Sequence, residues 1–160
     1  MSSISQTWRT PRSLVLLVVF LGAVIGVGAL IGITTAPGEW YAALNKPPFN
    51  PPNSVFGPVW FALYVLIAIA GWRTFLREPG GTSMKLWYGQ MALNWLWSPT
   101  WFTLHWIWPA FVVIVAILAL ILAFIVRNWR EDRVSAWLFV PYAAWVGFAS
   151  LLNLSIAILN

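Results

Sequence analysis

The chain of 160 residues is 61% apolar and only 8% charged, whereas a typical soluble domain carries about 25% charged residues. A water-soluble surface cannot be built from this composition, so the chain is predicted to be an integral membrane protein. Its length allows one domain and leaves no room for a separate soluble enzyme domain. The absence of cysteine excludes disulfides, thiolate catalysis and Cys-ligated metal sites.

Four long stretches without Asp, Glu, Lys or Arg define where membrane-spanning segments can lie. They are residues 13–38, 47–72, 86–126 and 134–160. The third stretch is about twice the length that a bilayer needs and has Pro99, His105 and Pro109 near its middle, so it predicts two helices. We therefore predict an all-α membrane protein, a five-helix transmembrane bundle formed by one domain, 1–160. The helices are expected at about 14–35, 54–77, 84–104, 109–127 and 134–158.

The positive charges are distributed by loop rather than clustered on one surface. Eight of the nine Lys and Arg residues lie in the N-terminal segment, the second connection and the fourth connection, and the ninth is Lys46. By the positive-inside rule, the N-terminus is predicted to be cytoplasmic and the C-terminus outside. A nucleic-acid partner is not predicted, because it would need cations clustered on one exposed face. The default location is a bacterial inner membrane, since no targeting peptide is recognisable.

Tryptophan is the outstanding residue type, with 13 copies. Most of them are predicted to form aromatic belts at the two membrane interfaces, where an indole has both an apolar and a wet neighbour. The belt residues are Trp40, Trp101, Trp106 and Trp108 at one interface and Trp72, Trp87, Trp129 and Trp137 at the other. Trp60, Trp95, Trp97 and Trp145 lie deeper in their helices, so their presence needs another reason.

Two further features of the N-terminal half bear on packing. The first predicted helix has glycines at small-xxx-small spacing, Gly22, Gly26, Gly28 and Gly32, which predicts close approach of another helix. The connection after it, residues 36–53, contains five prolines. Such a segment cannot form a long helix, but it predicts a stiff lid that has few conformations to lose on ordering.

Three predicted helix faces combine amides and hydroxyls with large aromatic rings. They are Gln90, Asn94, Trp97, Ser98 and Trp101 on the third helix, Phe56, Trp60 and Tyr64 on the second, and Tyr142, Trp145, Ala149 and Asn153 on the fifth. Amides at mid-depth are costly against lipid, so these faces should point inward. If they converge, they enclose a cavity suited to a large, flat, mainly apolar ligand. Alternatively, the amides only bond helix to helix and the rings fill the core, and the spacing alone leaves both interpretations open.

Conventional catalytic and metal sites are not indicated. His105 has no acidic residue near it in the sequence, so no metal site is predicted. All four acidic residues lie outside the predicted helices, which excludes an intramembrane carboxylate relay. No phosphate-binding glycine loop or nucleophile elbow occurs.

Several motifs lie in a characteristic order. They include Trp40-Tyr41, Lys46-Pro47, Asn50-Pro51-Pro52, Val55-Phe56-Gly57-Pro58-Val59-Trp60, Gly89-Gln90, Ala92-Leu93-Asn94-Trp95, Pro141-Tyr142, Phe148-Ala149 and Leu152-Asn153. Together they resemble the TspO/MBR family, the tryptophan-rich sensory or translocator proteins that include the peripheral-type benzodiazepine receptor. The resemblance runs from about Trp40 to Asn153.

This resemblance implies a five-helix bundle, often a homodimer, that binds porphyrins and haem-pathway intermediates, with sterols and benzodiazepine-site drugs as ligands of animal members. Protoporphyrin IX or haem would be a ligand, and no tightly bound cofactor is expected. The family motifs imply a pocket beneath the first loop, lined by Tyr41, Pro51, Trp60, Tyr64, Asn94, Trp97, Ser98, Trp145, Ala149 and Asn153. Many members have tryptophan where this chain has Phe49 and Ser54, which implies a weaker aromatic wall at the loop.

The expected function is that of a membrane receptor or carrier for tetrapyrroles, with a role in stress or pigment-pathway regulation. One alternative is an enzyme that degrades porphyrin in light and oxygen, with Trp60 and Trp145 as redox partners. A third interpretation is a protein that acts by interacting with another membrane protein.

Overall fold

The computed structural model describes residues 10–160, and all regular structure within this range is helical. The helices are α1 (Pro11–Thr34), α2 (Glu39–Ala43), α3 (Asn53–Arg77), α4 (Thr82–Ser98), α5 (Ile107–Glu131) and α6 (Arg133–Leu159), and a π-helical turn, Pro99–Thr103, continues α4. By length and apolarity, α1, α3, α5 and α6 can each cross a membrane. The protein is therefore an all-α, multi-pass integral membrane protein. The five-span count depends on α4 and its π-helical turn, and it stays a prediction.

Prolines determine how two of the helices begin. The N-cap Thr10 accepts a hydrogen bond from the Ser13 backbone N–H at 3.2 Å, and Pro11 occupies the first position of α1, where no N–H is needed. Pro109 lies in the first turn of α5, where its missing N–H likewise costs no intrahelical bond. The helix predicted at 109–127 can therefore begin before the proline, at Ile107. It also ends later than predicted, at Glu131.

The chain reverses direction between α4 and α5 at a single residue rather than at Pro99. The π-helical turn ends with a hydrogen bond of 2.9 Å from the Leu104 N–H to the Pro99 carbonyl. His105 then has φ 56°, a left-handed conformation that is uncommon for a residue with a side chain. This wide turn places Trp101 and Phe102 beneath the first connection.

The core lies between α3, α4, α5 and α6, where Ile67, Phe124, Phe139 and Tyr142 are fully buried. Helix α1 packs mainly on α3 and contributes the buried Val24 to the same core. The close approach predicted from glycine spacing occurs at Gly28, where a Cβ would overlap the ring of Tyr64. The prediction was wrong for Gly22, Gly26 and Gly32, since a Cβ there would have no described neighbour within 4 Å.

Three of the predicted belt tryptophans are core residues instead. Trp101, Trp87 and Trp72 are only 1%, 5% and 9% exposed, so the belt prediction was wrong for them. The indole N–H of Trp72 donates to the Ser13 carbonyl at 2.8 Å, and that of Trp87 donates to the Ile67 carbonyl at 2.9 Å. These rings can be buried because their one polar atom has a partner. Trp106, Trp108 and Trp137 are more than half exposed, as belt residues should be.

A charged cluster joins the end of α3 to the junction of α5 and α6. Arg73 makes a bidentate contact with Asp132, at 3.0 Å from Nε and 2.8 Å from Nη2. The Ser135 hydroxyl donates to the same carboxylate at 2.6 Å, and Arg77 donates to the Asn128 amide oxygen at 2.7 Å. Burial alone would raise the pKa of Asp132, but the hydrogen bonds from Arg73 and Ser135 outweigh it and lower the pKa below its usual value.

We predict that Asp132→Asn lowers the free energy of unfolding at neutral pH by about 2 kcal/mol, because it removes charge-assisted hydrogen bonds from a partly buried arginine. A folded-state pKa that is depressed stabilises the fold above the ordinary carboxyl value of 3.8 and stops doing so as the pH falls through the folded value. The difference between wild type and variant should therefore shrink in acid. Denaturant unfolding in detergent at several pH values measures it.

The control for this prediction is Glu131→Gln. Glu131 is more exposed than Asp132; it pairs with Arg127 one helical turn away at 3.0 Å and more loosely with Arg77 of the cluster at 3.7 Å, so its loss should cost less than about 1 kcal/mol. Equal stability of Asp132→Asn and wild type at neutral pH would contradict a stabilising role for the cluster.

Candidate functional site

A cavity of about 690 Å³ lies beneath the first connection, between α1, α3, α4 and α6. Its volume falls within the range of about 300–1,000 Å³ that is usual for small-molecule sites. Among residues 10–160, its walls carry aromatic rings, aliphatic side chains, amides and hydroxyls, but no Asp, Glu, Lys, Arg or His. The cavity therefore offers shape, stacking surface and a few hydrogen-bonding groups rather than charge or acid–base chemistry.

Nine of the ten residues predicted to line a pocket do line this cavity. They are Tyr41, Trp60, Tyr64, Asn94, Trp97, Ser98, Trp145, Ala149 and Asn153. Pro51 is not in the wall, where its neighbours Asn50 and Asn53 lie instead. The Pro51 carbonyl accepts a hydrogen bond from the Asn50 side chain at 3.1 Å, so Pro51 helps to hold the loop rather than to form the wall. Whether the lining residues bind a ligand stays a prediction.

Two parts of the wall were not predicted from the sequence. Helix α1 contributes Ile25, Gly28, Ala29 and Gly32, and α5 contributes Ile114 and Ile117. These small and aliphatic residues look like any others in an apolar helix. Only the glycine spacing in α1 was a usable signal, and it indicated packing rather than a cavity.

A chain of hydrogen bonds fixes the polar side of the cavity. The Tyr64 hydroxyl donates to the Asn94 amide oxygen at 3.2 Å, and the Asn94 amide nitrogen donates to the Tyr142 hydroxyl at 2.8 Å. Tyr142 in turn donates to the Gln90 amide oxygen at 2.8 Å. These four side chains come from α3, α4 and α6, so the chain holds three helices together while Tyr64 and Asn94 face the cavity.

Indole rings form the second wall. The rings of Trp97 and Trp101 stack with centroids 6.0 Å apart and planes 13° apart. The Trp97 N–H donates to the Asn153 amide oxygen at 3.2 Å, which orients its ring. The N–H of Trp145 is buried and has no hydrogen-bond partner among the described residues. Trp145 therefore contributes ring surface to the wall, while its nitrogen is covered by protein atoms.

The first connection covers the cavity and is attached on two sides. Trp40 stacks on His105 with ring centroids 4.2 Å apart, and Tyr41 meets the edge of Phe102 at 5.5 Å. At the end of α6 the Asn45 backbone N–H donates to the Asn160 amide oxygen at 2.9 Å, and the Asn160 amide nitrogen donates to the Asn45 carbonyl at 3.0 Å. This exchange imitates the pairing of two peptide groups. The predicted lid is thus a tethered segment.

The hydroxyl of Tyr41 lies at the inner side of this lid. It donates to the Asn50 amide oxygen at 3.4 Å. Burial raises the pKa of the Tyr41 phenol above its usual value, and the hydrogen bond to Asn50 only partly opposes this shift. Tyr41 therefore contributes a neutral hydroxyl at physiological pH.

Phe49 and Ser54, the two positions at which the family resemblance implied tryptophan, lie outside the cavity wall. Phe49 is exposed and contacts Phe148 on α6, with ring centroids 6.4 Å apart. Ser54 is exposed near the start of α3. The absence of tryptophan at these two positions therefore changes the outer surface of the loop region and not the cavity wall.

Comparison with known proteins identifies the family of the chain. A sequence model of the TspO/MBR family matches residues 14–159, nearly the whole chain. The chain belongs to the TspO/MBR family. This confirms the resemblance inferred from the loop and helix motifs.

Named relatives of this family are similar over most of their length. Protein CrtK of Rhodobacter capsulatus is 36% identical over 152 residues, which cover 92% of this chain and 94% of that protein. The tryptophan-rich sensory protein of Cereibacter sphaeroides is 34% identical over 145 residues, 91% of each chain. The human translocator protein is 34% identical over 136 residues, 79% of this chain and 80% of its own.

Proposed function

We propose that this member of the TspO/MBR family is a membrane receptor or carrier that binds a porphyrin or related tetrapyrrole, with a role in stress or pigment-pathway regulation. The observation that carries the proposal is the uncharged cavity of about 690 Å³ with the indoles of Trp60, Trp97 and Trp145 in its wall. A flat, mainly apolar ring system is the class of molecule that such walls favour, because indoles offer stacking faces and N–H donors. The names of the relatives, sensory and translocator proteins, fit a binding role.

The shape of the cavity supports a ligand with one large face. Two small residues in the wall, Gly32 and Ala149, leave space beside the rings of Trp60, Tyr64 and Trp145. The same walls could accept an uncharged sterol or a benzodiazepine-site drug, so these molecules belong to the proposal as competing ligands. The expected homodimer and the bacterial inner membrane stay predictions.

We further propose that the chain crosses the membrane five times with a cytoplasmic N-terminus. The fifth crossing would be Thr82–Thr103, formed by α4 and its π-helical turn. An odd number of crossings separates the termini, and the ion pairs of Arg73, Arg77 and Arg127 all lie at the end assigned to the cytoplasm. Arg9, one of the eight residues on that side, lies outside the described residues.

A second candidate function is photooxidative degradation of bound porphyrin. The observation that favours it is that Trp60 and Trp145 both line the cavity and that the Trp145 N–H has no partner among the described residues. An oxidisable indole would then lie against the pigment. The chemistry would come from the pigment's own excitation by light and from oxygen, since the wall has no acid, base or strong nucleophile.

For the topology, a reporter fused after Asn160 should be active outside the cytoplasm, and one inserted at Gly80-Gly81 should be active inside it. Each fusion is the control for the other. A fusion that is not expressed would be inactive on both sides of the membrane, whereas a reversed topology would make the reporter active on the opposite side. Reversal of both activities would contradict the orientation.

For the binding site, Ala149→Phe should abolish protoporphyrin IX binding, because a ring at this buried wall position fills the space the ligand needs. Binding is measured by the quenching of tryptophan fluorescence on titration. The matched control is Ala144→Phe, a larger side chain on the exposed face of the same helix. A change of less than about threefold, about 0.6 kcal/mol, would show that the ligand does not occupy the cavity.

For the second candidate, Trp60→Phe and Trp145→Phe should each weaken protoporphyrin binding by about 1 kcal/mol, the value of a lost hydrogen bond, yet largely stop light-dependent pigment loss. Phenylalanine keeps a ring for stacking but is much harder to oxidise. Pigment absorbance is followed under illumination at saturating protein, with dark and oxygen-free samples.

The control variant is Trp137→Phe, whose indole is 56% exposed and does not line the cavity. It should leave pigment loss unchanged. If all three variants lose pigment at the wild-type rate, the loss is free photobleaching and the protein only binds.

A further inference from the structure

The cavity has no charged residue in its wall, yet one cation lies directly beside it. The ammonium nitrogen of Lys46 is 4.7 Å from the centroid of the Tyr41 ring, and Tyr41 is part of the wall. Lys46 is also the only Lys or Arg in the first connection, on the side of the membrane opposite the other eight. Lys46 is half-buried, and although its own side chain is not part of the lining, its ammonium contacts a ring that is.

The charge of Lys46 is not neutralised by any acid in the described residues. The ion pairs of residues 10–160 involve Arg73, Arg77 and Arg127, all at the other end of the bundle. Lys46 instead donates to the backbone carbonyls of Ala42, at 3.2 Å, and Leu44, at 3.1 Å. A lysine ammonium has three N–H donors, so one remains for a further acceptor.

The loop holds this ammonium in place before any ligand arrives. Two backbone acceptors and the face of Tyr41 fix its position, and the Asn45 backbone beside it is tied to Asn160. A cation that is already positioned and half-buried loses little side-chain freedom on pairing with an anion. Its attraction to that anion is also stronger than that of a fully exposed pair.

We propose that Lys46 recognises an acidic edge on the ligand, so that the flat apolar body lies in the cavity while a carboxylate accepts the third N–H of Lys46. This inference rests on the proposed tetrapyrrole-binding function and deepens it. It names the ligand class as an aromatic macrocycle with carboxylate side chains, and it orients the carboxylates toward the first connection. An uncharged molecule of the same shape would occupy the cavity without this contact.

The competing role for Lys46 is structural, since its bonds to Ala42 and Leu44 stabilise the end of α2. The two roles predict different dependence on the ligand. A purely structural lysine would affect every ligand that the loop covers, whereas a carboxylate-binding lysine affects only ligands that carry the acid.

The test compares protoporphyrin IX with its dimethyl ester, which keeps the macrocycle and removes both negative charges. Binding to the full-length protein in bilayers of zwitterionic lipid is followed by tryptophan fluorescence. Lys46→Gln should weaken binding of the acid by about fivefold to tenfold and that of the ester by less than about twofold. Lys46→Arg keeps the charge and should retain most of the preference for the acid.

Lys85→Gln is the matched control, because Lys85 is an exposed lysine at the start of α4, on the other side of the membrane. It should change neither affinity. Added salt should weaken binding of the acid to wild type and have little effect on its binding to Lys46→Gln.

Equal weakening of acid and ester by Lys46→Gln would overturn the inference in favour of the structural role, and so would unchanged affinity for both. These results differ from a failure of the proposed function itself, in which neither porphyrin binds to the wild-type protein.

Discussion

The hydrogen bonds from Tyr64 through Asn94 and Tyr142 to Gln90 determine how the bundle is assembled. In the hydrocarbon region of a bilayer an unpaired polar group is costly, which favours partners on another helix or in the backbone. The chain meets this requirement for Tyr64, Asn94 and Tyr142, whereas the Gln90 amide nitrogen has no partner among the described residues. Asn94 meets Tyr64 of α3 with its oxygen and Tyr142 of α6 with its nitrogen, and it thereby sets the separation of those helices around α4. A shift of α4 by one residue along its axis would break both bonds at once.

The cavity follows from this arrangement. With α3, α4 and α6 held by side-chain hydrogen bonds, α1 closes the remaining side. It is bonded near its two ends, by the Trp72 N–H to the Ser13 carbonyl and by Thr35 to Ser98, and Gly28 lets it approach the ring of Tyr64. Where the wall residues are small, as at Gly32 and Ala149, the large rings opposite cannot fill the space. The free volume therefore results from mixing the largest and smallest side chains, and the hydrogen bonds prevent the helices from collapsing into it.

The positions of the apolar helices and of most cavity-lining residues could be predicted from the sequence, because charged residues are confined to the loops and polar residues recur at helical spacing. Gaps between charged residues located the apolar helices, and spacings of three and four residues placed Asn94, Trp97 and Ser98 on one inward face. The orientation of single rings could not be predicted. The sequence gives the depth of Trp72, Trp87 and Trp101 in the membrane, but whether an indole points to lipid or inward depends on a carbonyl or ring supplied by another helix.

The same limit explains why the contribution of α1 and the pairing of Arg73 with Asp132 were missed. The sequence does not distinguish aliphatic residues of α1 that line the cavity from those that face lipid. The loop charges were interpreted through topology alone, since Arg73 and Asp132 are far apart in sequence and meet only when α3 lies against the junction of α5 and α6. Pro51 was assigned to the wall because the family motif that contains it is expected to line the pocket. In the structure its neighbours Asn50 and Asn53 line the cavity instead.

One short connection supplies properties that the bundle cannot supply for itself. Its prolines restrict the backbone, its Trp40 ring is stacked on His105, and its Asn45 backbone is paired with Asn160, so its first half is fixed at two points. This part of the connection contributes Tyr41 to the cavity wall and holds the Lys46 ammonium against the Tyr41 ring. A charge within the bilayer would be costly to bury, whereas the same charge on a tethered loop at the membrane surface remains partly hydrated. The helices can therefore form the apolar cavity while the loop carries the charge, so no charge has to be buried among the helices.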